Sequence, residues 1–430
     1  ESEIIQFYCN KDKKFLPDRY VIGTCPYCNA MEQYSDLCEK CGRVPEEIEN
    51  PHCSICGEAP VKEKTKHYFF KLKNFSDKLS EYLGGNQNLQ KDVKKYVQNW
   101  IEEGLTDWDI TRDISWGVPV PVDGVNDKVF YGWFDNHLAY ISSAVKFLSD
   151  NGKDGKKFWN ESDIYHFIGK DIVYHHYLFL PAMRLGIGEE YKLPDYIPTR
   201  GHLTLQAKKI SKSRNWYIGL KDFLQIFPAD YLRFYLVSIN PYSQDDLNFD
   251  WDEFATKINS ELIGNLGNLV NRALGFTVKA FDSIVPDPEE FDDIDKESEK
   301  AIKDLGSDVG VLMEQNHLDR ALKKILQFSA HFNQYFQHKE PWKKAHGTGS
   351  CVYLSVNAVR SLAIAIYPFL PKSSQKIWVQ LGMDGDVSAQ SFDEISNITI
   401  KQGHKLGKIS PLFEKVEESV IEEQKKKLGI

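Results

Sequence analysis

The chain has 430 residues, 42% of them hydrophobic and 13% aromatic, enough to bury large cores in roughly two to four domains. Its net charge of -9 argues against the broad positive surface of a non-specific nucleic-acid binder, although Lys and Arg can still line one path. No run approaches the roughly 20 apolar residues that cross a bilayer, and residues 1–10 lack the basic start and apolar stretch of a signal peptide, so a cytoplasmic chain without a membrane segment is expected.

Seven of the eight cysteines fall within the first 56 residues, in pairs that hold metal in a reducing compartment more naturally than they form disulfides. Cys25-Pro26-Tyr27-Cys28 and, nine residues on, Cys38-Glu39-Lys40-Cys41 offer four thiolates from two tight turns. With Gly42 behind the second pair, they suit the tetrahedral shell of a structural zinc ion. Cys53-Ser54-Ile55-Cys56 is a third pair in need of partners. Cys9 and Asp12 upstream can complete a second zinc site, Asp12 being the unusual ligand because structural sites prefer Cys and His.

From Trp108 to about Tyr242, apolar runs bounded by Gly and Pro alternate with helical patterns, which predicts a mainly parallel sheet covered by helices. Tyr131-Gly132-Trp133-Phe134-Asp135 is an aromatic-rich junction into a helix over 137–147. Its Trp133 and Tyr140 suit either a core or the wall of an apolar pocket. Residues 164–168 read as a buried strand, Gly169-Lys170 as its turn, and Asp171 as the cap of a helix running to 185. Such a junction presents N–H groups and a dipole that favour an anionic ligand. Ile172 and His176, four apart, share a face of that helix, where His176 fits a hydrogen-bonded core as well as a pocket. Lys209-Ile210-Ser211-Lys212-Ser213 places two lysines on a loop, a pattern shared by solvated turns and phosphate clamps.

From about Phe254 to Leu381 apolar residues recur at helical spacing, the signature of an α-helical bundle. Leu262, Leu266, Leu269, Ala273 and Phe276 form one buried stripe. Asn265, Asn268 and Arg272 fall on the opposite stripe, by default a solvated face, yet spaced to reach one ligand. Residues 422–427 are a charged helical end.

Taken in order, these strings resemble one family. They are Phe15-Leu16-Pro17-Asp18-Arg19-Tyr20, Gly23-Thr24-Cys25-Pro26, Arg112-Asp113 with Trp116-Gly117-Val118-Pro119-Val120-Pro121, Phe167-Ile168-Gly169-Lys170-Asp171, the lysine loop, and Phe227-Pro228-Ala229-Asp230-Tyr231-Leu232-Arg233. The family is that of the methionyl-tRNA synthetases, class I aminoacyl-tRNA synthetases, in the two-knuckle form usual in archaea and eukaryotes. The resemblance implies a fold of α/β plus all-α type: a partial Rossmann-type catalytic domain with a zinc-knuckle insertion, then an α-helical anticodon-binding bundle. The implied boundaries are 1–66 for the knuckles, 67–105 for the return to the catalytic domain, 106–253 for its C-terminal half, 254–390 for the bundle, and 391–430 for a segment folding back. It also implies that Trp133, Tyr140, Ile172 and His176 line a methionine pocket. Lys209 and Lys212 would act catalytically, with Ile210, Ser211, Ser213, Gly169 and Asp171 around ATP and its Mg2+. Asn268, Arg272 and Trp342 would read the anticodon of methionine tRNA.

The chain departs from the family pattern at Gly132, at Asn136-His137-Leu138-Ala139, at Leu180, at Ala207 and at Ile210. The changes around Asn136 and His137 border the amino-acid pocket. The family's His-x-Gly-His string, which supplies the other side of the ATP site, occurs nowhere in the 430 residues. The expectation is therefore a methionine--tRNA ligase without its N-terminal ATP-binding half, inactive until a separate half is supplied. Two alternatives remain at this stage: a zinc-stabilised anticodon-binding module without catalysis, or another class I synthetase for an apolar amino acid.

Overall fold

The computed structural model describes residues 1–430 except 36, 37, 39, 42, 44, 189, 190, 213, 344 and 345. The chain divides into two compact units, Glu1–Pro198 and Thr199–Ile430, a division that falls inside the expected 106–253 segment.

In the first unit, Ser2–Cys9 pairs antiparallel with Val61–His67, from Ser2 opposite His67 to Tyr8 opposite Val61, and with Lys14–Phe15. The returning strand, Val-Lys-Glu-Lys-Thr-Lys-His, buries only Thr65 and His67, so this ribbon stands in solvent except near its base. Between its arms lies a second antiparallel sheet, Val21–Thr24 flanked by Gln33–Tyr34 and Glu49–Cys53. The apolar cluster here is Leu16, Val21 and Ile48 with Cys9 and Cys53, far too little to hold a fold without metal.

The body of the unit packs Ser76–Gly85 and Lys91–Glu103 through Leu79, Leu83, Val93 and Val97, paired at helical spacing, against Leu72, Tyr177, Leu178 and Ile197. Val129–Phe130 leads into the helix Gly132–Asp150, longer at both ends than expected. Residues 164–168 run extended beside 196–198, His166 N–H bonding Tyr196 O at 2.9 Å and Ile168 N–H bonding Pro198 O at 3.0 Å. The regular strand is only Ile168–Gly169.

The single helix expected from Asp171 to 185 is replaced by three kinds of turn: a 3-10 turn Lys170–Ile172, a π-helical stretch His175–Phe179, and the α-helix Leu180–Gly186. Gly169, not Asp171, flanks its start, and no side chain caps it. Pro181 explains the widening. It has no N–H to return to Tyr177, and the backbone adapts by pairing Leu180 N–H with His175 O, five residues back.

The second unit starts from Leu203–Leu205, paired antiparallel with Lys208–Lys209 and parallel with Leu247–Phe249. Trp251–Lys257 continues as the π-helical Ile258–Gly267 and then as the α-helix Asn268–Ala280. Asp293–Glu314, opened by a capping box on Asp292, and Leu318–Lys339 pack beside it around Thr348–Ile366. This last helix is long and apolar enough on composition to cross a bilayer, contrary to the expectation from sequence. It is 94% buried, as the central helix of a bundle is. The final segment returns to the start of the unit, where Tyr231 Oη donates to Glu414 O and accepts from Glu414 N–H, both at 2.7 Å. Both the α/β character and the following helical bundle are therefore as expected.

Candidate active site and metal clusters

Three knuckles repeat one turn: Cys25 N–H bonds Ala30 O, Cys38 N–H bonds Arg43 O and Cys53 N–H bonds Glu58 O, all at 2.9 Å. The residue after the second Cys must adopt a left-handed backbone, met by Asn29 at φ 54° and Gly57 at φ 78°. Gly42, at the equivalent place, lies outside the described residues. Cys25, Cys28, Cys38 and Cys41 form one group that could hold a metal ion, and Cys9, Asp12, Cys53 and Cys56 a second, the ligand atoms of each lying within 4.8 Å of one another. Sulfur separations of 3.8 Å for Cys25–Cys41 and 3.6 Å for Cys28–Cys38 match the roughly 3.8 Å expected in a tetrahedral shell with 2.3 Å bonds. Asp12 Oδ2 lies 3.2 Å from both Cys9 Sγ and Cys53 Sγ, inside the second group. Backbone N–H groups of Asp12, Cys41 and Ile55 point at ligand sulfurs, as a thiolate shell requires.

The helix Gly132–Asp150 and the widened helix around His175 bring four expected residues together. His176 Nδ1 donates to Ile172 O at 3.0 Å, which leaves Nε2 as the acceptor of the Tyr140 hydroxyl at 3.1 Å. Trp133 stacks on His175 with ring centroids 4.5 Å apart. The sequence reading missed His175 and His166. His137 Nε2 lies 3.2 Å from His175 Nδ1, and His166 packs edge-on to Tyr140 at 4.6 Å. The doublet His175-His176 on a helix was the available signal; for His166 there was none. Burial, reinforced by neighbouring imidazoles, holds His137 down at about 3. Burial and the Arg184 guanidinium do the same to His166, and burial keeps His175 at about 4 and His176 below its ordinary value. The wall is thus aromatic and uncharged at neutral pH, suited to an apolar side chain with one or two weak polar atoms. Gly169 stands at the entrance to this helix, where a Cβ would come within 2.5 Å of Asp171 Oδ1.

In the second unit the lysine loop leaves the tight turn Gln206–Ala207 and closes through Ser211 and Trp216, whose backbones exchange hydrogen bonds of 2.8 and 2.9 Å. Lys209, Ile210 and Lys212 are exposed, and neither lysine has an acidic partner among the described residues. Ser213 lies outside the described residues.

Asn268 and Arg272 are joined by two residues that the sequence reading missed, Asn333 and Gln337. Asn268 Nδ2 donates to Asn333 Oδ1 at 2.8 Å, while Arg272 reaches Asn333 O at 3.3 Å and Gln337 Oε1 at 2.9 Å. Asn333 in turn donates to Asn265. The Arg272 guanidinium lies 5.9 Å from the half-exposed Trp342 ring, so the three expected residues meet.

Residues 1–274 match the family model for tRNA synthetases class I (M), and that class is what the knuckles, the α/β body and the lysine loop define. Residues 285–429 match the anticodon binding domain of methionyl tRNA ligase. The methionine--tRNA ligase of Methanopyrus kandleri is 41% identical over 99% of this chain and 64% of its own length. That of Pyrococcus horikoshii is 42% identical over 97% of the chain and 60% of its own. Mycobacterium tuberculosis methionyl-tRNA synthetase bound by methionyl-adenylate superposes with a TM-score of 0.75 at 24% identity, over 96% of this chain and 77% of that one. The chain belongs to the methionyl-tRNA synthetase family, and it spans about three-fifths of the length of the curated relatives it matches.

Proposed function

We propose that the chain carries the methionine-binding, pyrophosphate-stabilising and anticodon-reading parts of a methionine--tRNA ligase. The reaction joins methionine to ATP, releasing pyrophosphate, and then passes the methionyl group to methionine tRNA. The observation that carries this reading is the meeting of Trp133, Tyr140, Ile172 and His176 in one uncharged wall. Its only polar atoms are fixed in direction, the Nδ1 proton of His176 being committed to the backbone and Nε2 to Tyr140. The methionyl-adenylate bound by the Mycobacterium tuberculosis relative supports the same assignment.

When the methionine carboxylate attacks the α-phosphate, negative charge grows on the phosphoryl oxygens and the departing pyrophosphate. Lys212 first and Lys209 second neutralise it, with no covalent enzyme intermediate, and Mg2+ bridges the phosphates. Zinc in the two cysteine groups gives the insertion the stability that its small core cannot. Bases of an unpaired loop stack on Trp342 and are hydrogen-bonded along their edges by Asn268 and Arg272.

Adenylation also needs a half-site with the His-x-Gly-His chemistry, absent from these residues. ATP–pyrophosphate exchange with methionine, run with and without a supplied ATP-binding half, tests the proposal: exchange is expected only with the complement. No exchange in either case would leave the anticodon-binding module alone.

A further inference from the structure

A cavity of 820 Å3 opens between residues 17–20 of the cysteine-rich segment and the stretches 112–118 and 130–136. None of the residues assigned above to methionine, ATP, metal or anticodon lines it. Its wall carries Arg19, Arg112, Trp116, Tyr131 and Asp135.

Trp116 is 87% exposed, and no aromatic ring among the described residues stacks on it. A bare indole is unfavourable in water unless something covers it. Nor is it on a loose tail. Gly117 holds φ at 146°, where a Cβ would strike the Val129 side chain at 2.8 Å, and Phe130 N–H bonds Val118 O at 2.8 Å. The indole is thus presented outward by a fixed backbone.

Arg112 is equally fixed. Its guanidinium lies 3.8 Å from the centre of the Tyr131 ring, donates to Thr111 O at 2.7 Å and sits 3.3 Å from Asp109 Oδ2. Asp109 is held by the fully buried His67, whose Nδ1 lies 2.8 and 2.9 Å from its two oxygens and whose Nε2 bonds Asp113 Oδ2 at 2.8 Å. Arg19 stands over the Tyr34 ring at 5.4 Å. Two anchored guanidiniums beside an uncovered indole match a phosphodiester chain with a stacked base. The single carboxylate, Asp135, would repel a phosphate but accepts a ribose 2′-hydroxyl, which RNA has and DNA lacks.

We propose that this cavity binds the unpaired 3′ segment of an RNA, with a base on Trp116, phosphates on Arg19 and Arg112, and a ribose hydroxyl donating to Asp135. The proposal rests on the tRNA reading above and adds an RNA contact separate from Asn268, Arg272 and Trp342.

The test uses the full chain and two fluorescent RNA probes read by anisotropy: a short duplex with an unpaired 3′ extension, and a hairpin bearing the anticodon loop. Trimming the extension, or Trp116→Ala, should each weaken duplex binding about tenfold, and the two together no further. A DNA extension should bind more weakly than RNA, a preference that Asp135→Asn removes. Hairpin binding should fall with Trp342→Ala and ignore Trp116→Ala. If the hairpin binds but the duplex ignores both its extension and Trp116→Ala, the cavity proposal is wrong and the tRNA reading stands. If neither probe binds, the tRNA reading fails and this proposal with it. Because Trp116 is exposed, unchanged metal content and circular dichroism will confirm that the variant folds.

Discussion

Ala207 occupies a left-handed backbone at φ 59° next to Gln206 at φ 49°, held there by Asn248 Oδ1, which accepts its N–H at 2.7 Å. A Cβ in that region costs about 1–2 kcal/mol, only part of which glycine returns as extra freedom in the unfolded chain. Ala207→Gly should therefore stabilise the protein by about 0.5–1 kcal/mol, read as a higher urea midpoint at constant m value. A lower midpoint would mean that the methyl group packs usefully. The same reasoning about a single atom applies to Tyr140, whose hydroxyl is the donor facing His176 Nε2. Tyr140→Phe leaves a buried acceptor unpaired, at a cost of about 1–3 kcal/mol in stability or methionine affinity. Lys212→Ala removes a charge that acts only as pyrophosphate leaves, so in the completed enzyme it should lower exchange about 10²-fold, roughly 3 kcal/mol of barrier, with methionine binding unchanged. A change in methionine affinity without a change in rate would move the lysine out of that role.

The cysteine-rich segment is the element whose structure depends most on something other than its own side-chain packing. Its apolar cluster is three aliphatic residues and two cysteines, so metal removal by a chelator should release two equivalents and expose the backbone amides of residues 9–56 to exchange. Cys28→Ser and Cys56→Ser should each lose one equivalent; loss of only one in total on chelation would show that the Asp12 group does not bind. These knuckles were legible in the sequence because each is local: two cysteines and one left-handed residue fix the whole turn. Trp133, Tyr140, Ile172 and His176 were legible only through family resemblance, since their helical spacing fitted a core equally well. The widening of the helix at His175–Phe179 was not read, although Pro181 was in view, because a missing N–H can bend a helix, end it or swell it by one residue. Asn333 and Gln337 had no local signal at all. They reach Asn268 and Arg272 from another helix, 61 to 68 residues away, through bonds that no periodicity encodes.

Across the whole chain, pH sensitivity concentrates in the buried histidines of Glu1–Pro198, and they pull in opposite directions. His137, His166, His175 and His176 are held below the ordinary value by burial, hence neutral in the fold. In the unfolded chain they take up protons near pH 6.5, so their contribution is complete above that and drains away as pH falls toward 3–4. His67 behaves in reverse: burial lowers it, but its hydrogen bonds to Asp109 and Asp113 prevail and raise it, making an imidazolium between two carboxylates. Its contribution is full below about pH 6.5 and lost as pH rises through the folded value. Asp113 adds to the acid side. Burial raises it, but His67 and Lys128 outweigh this and lower it, so its share is present above about pH 4 and lost as pH falls through its folded value. Stability should therefore peak between about pH 6.5 and the raised value of His67, with the steeper fall on the acid limb because more groups titrate there. That limb also passes the isoelectric point near 5.8, where a chain of net charge -9 at pH 7 loses the repulsion that keeps it dispersed. Urea titrations at low protein concentration separate unfolding from precipitation. His67→Gln should flatten the alkaline limb alone, and His137→Phe should shallow the acid limb alone. A curve that stays level from pH 7 to 5 would mean that water reaches these imidazoles, and the uncharged wall built from them would have to be abandoned.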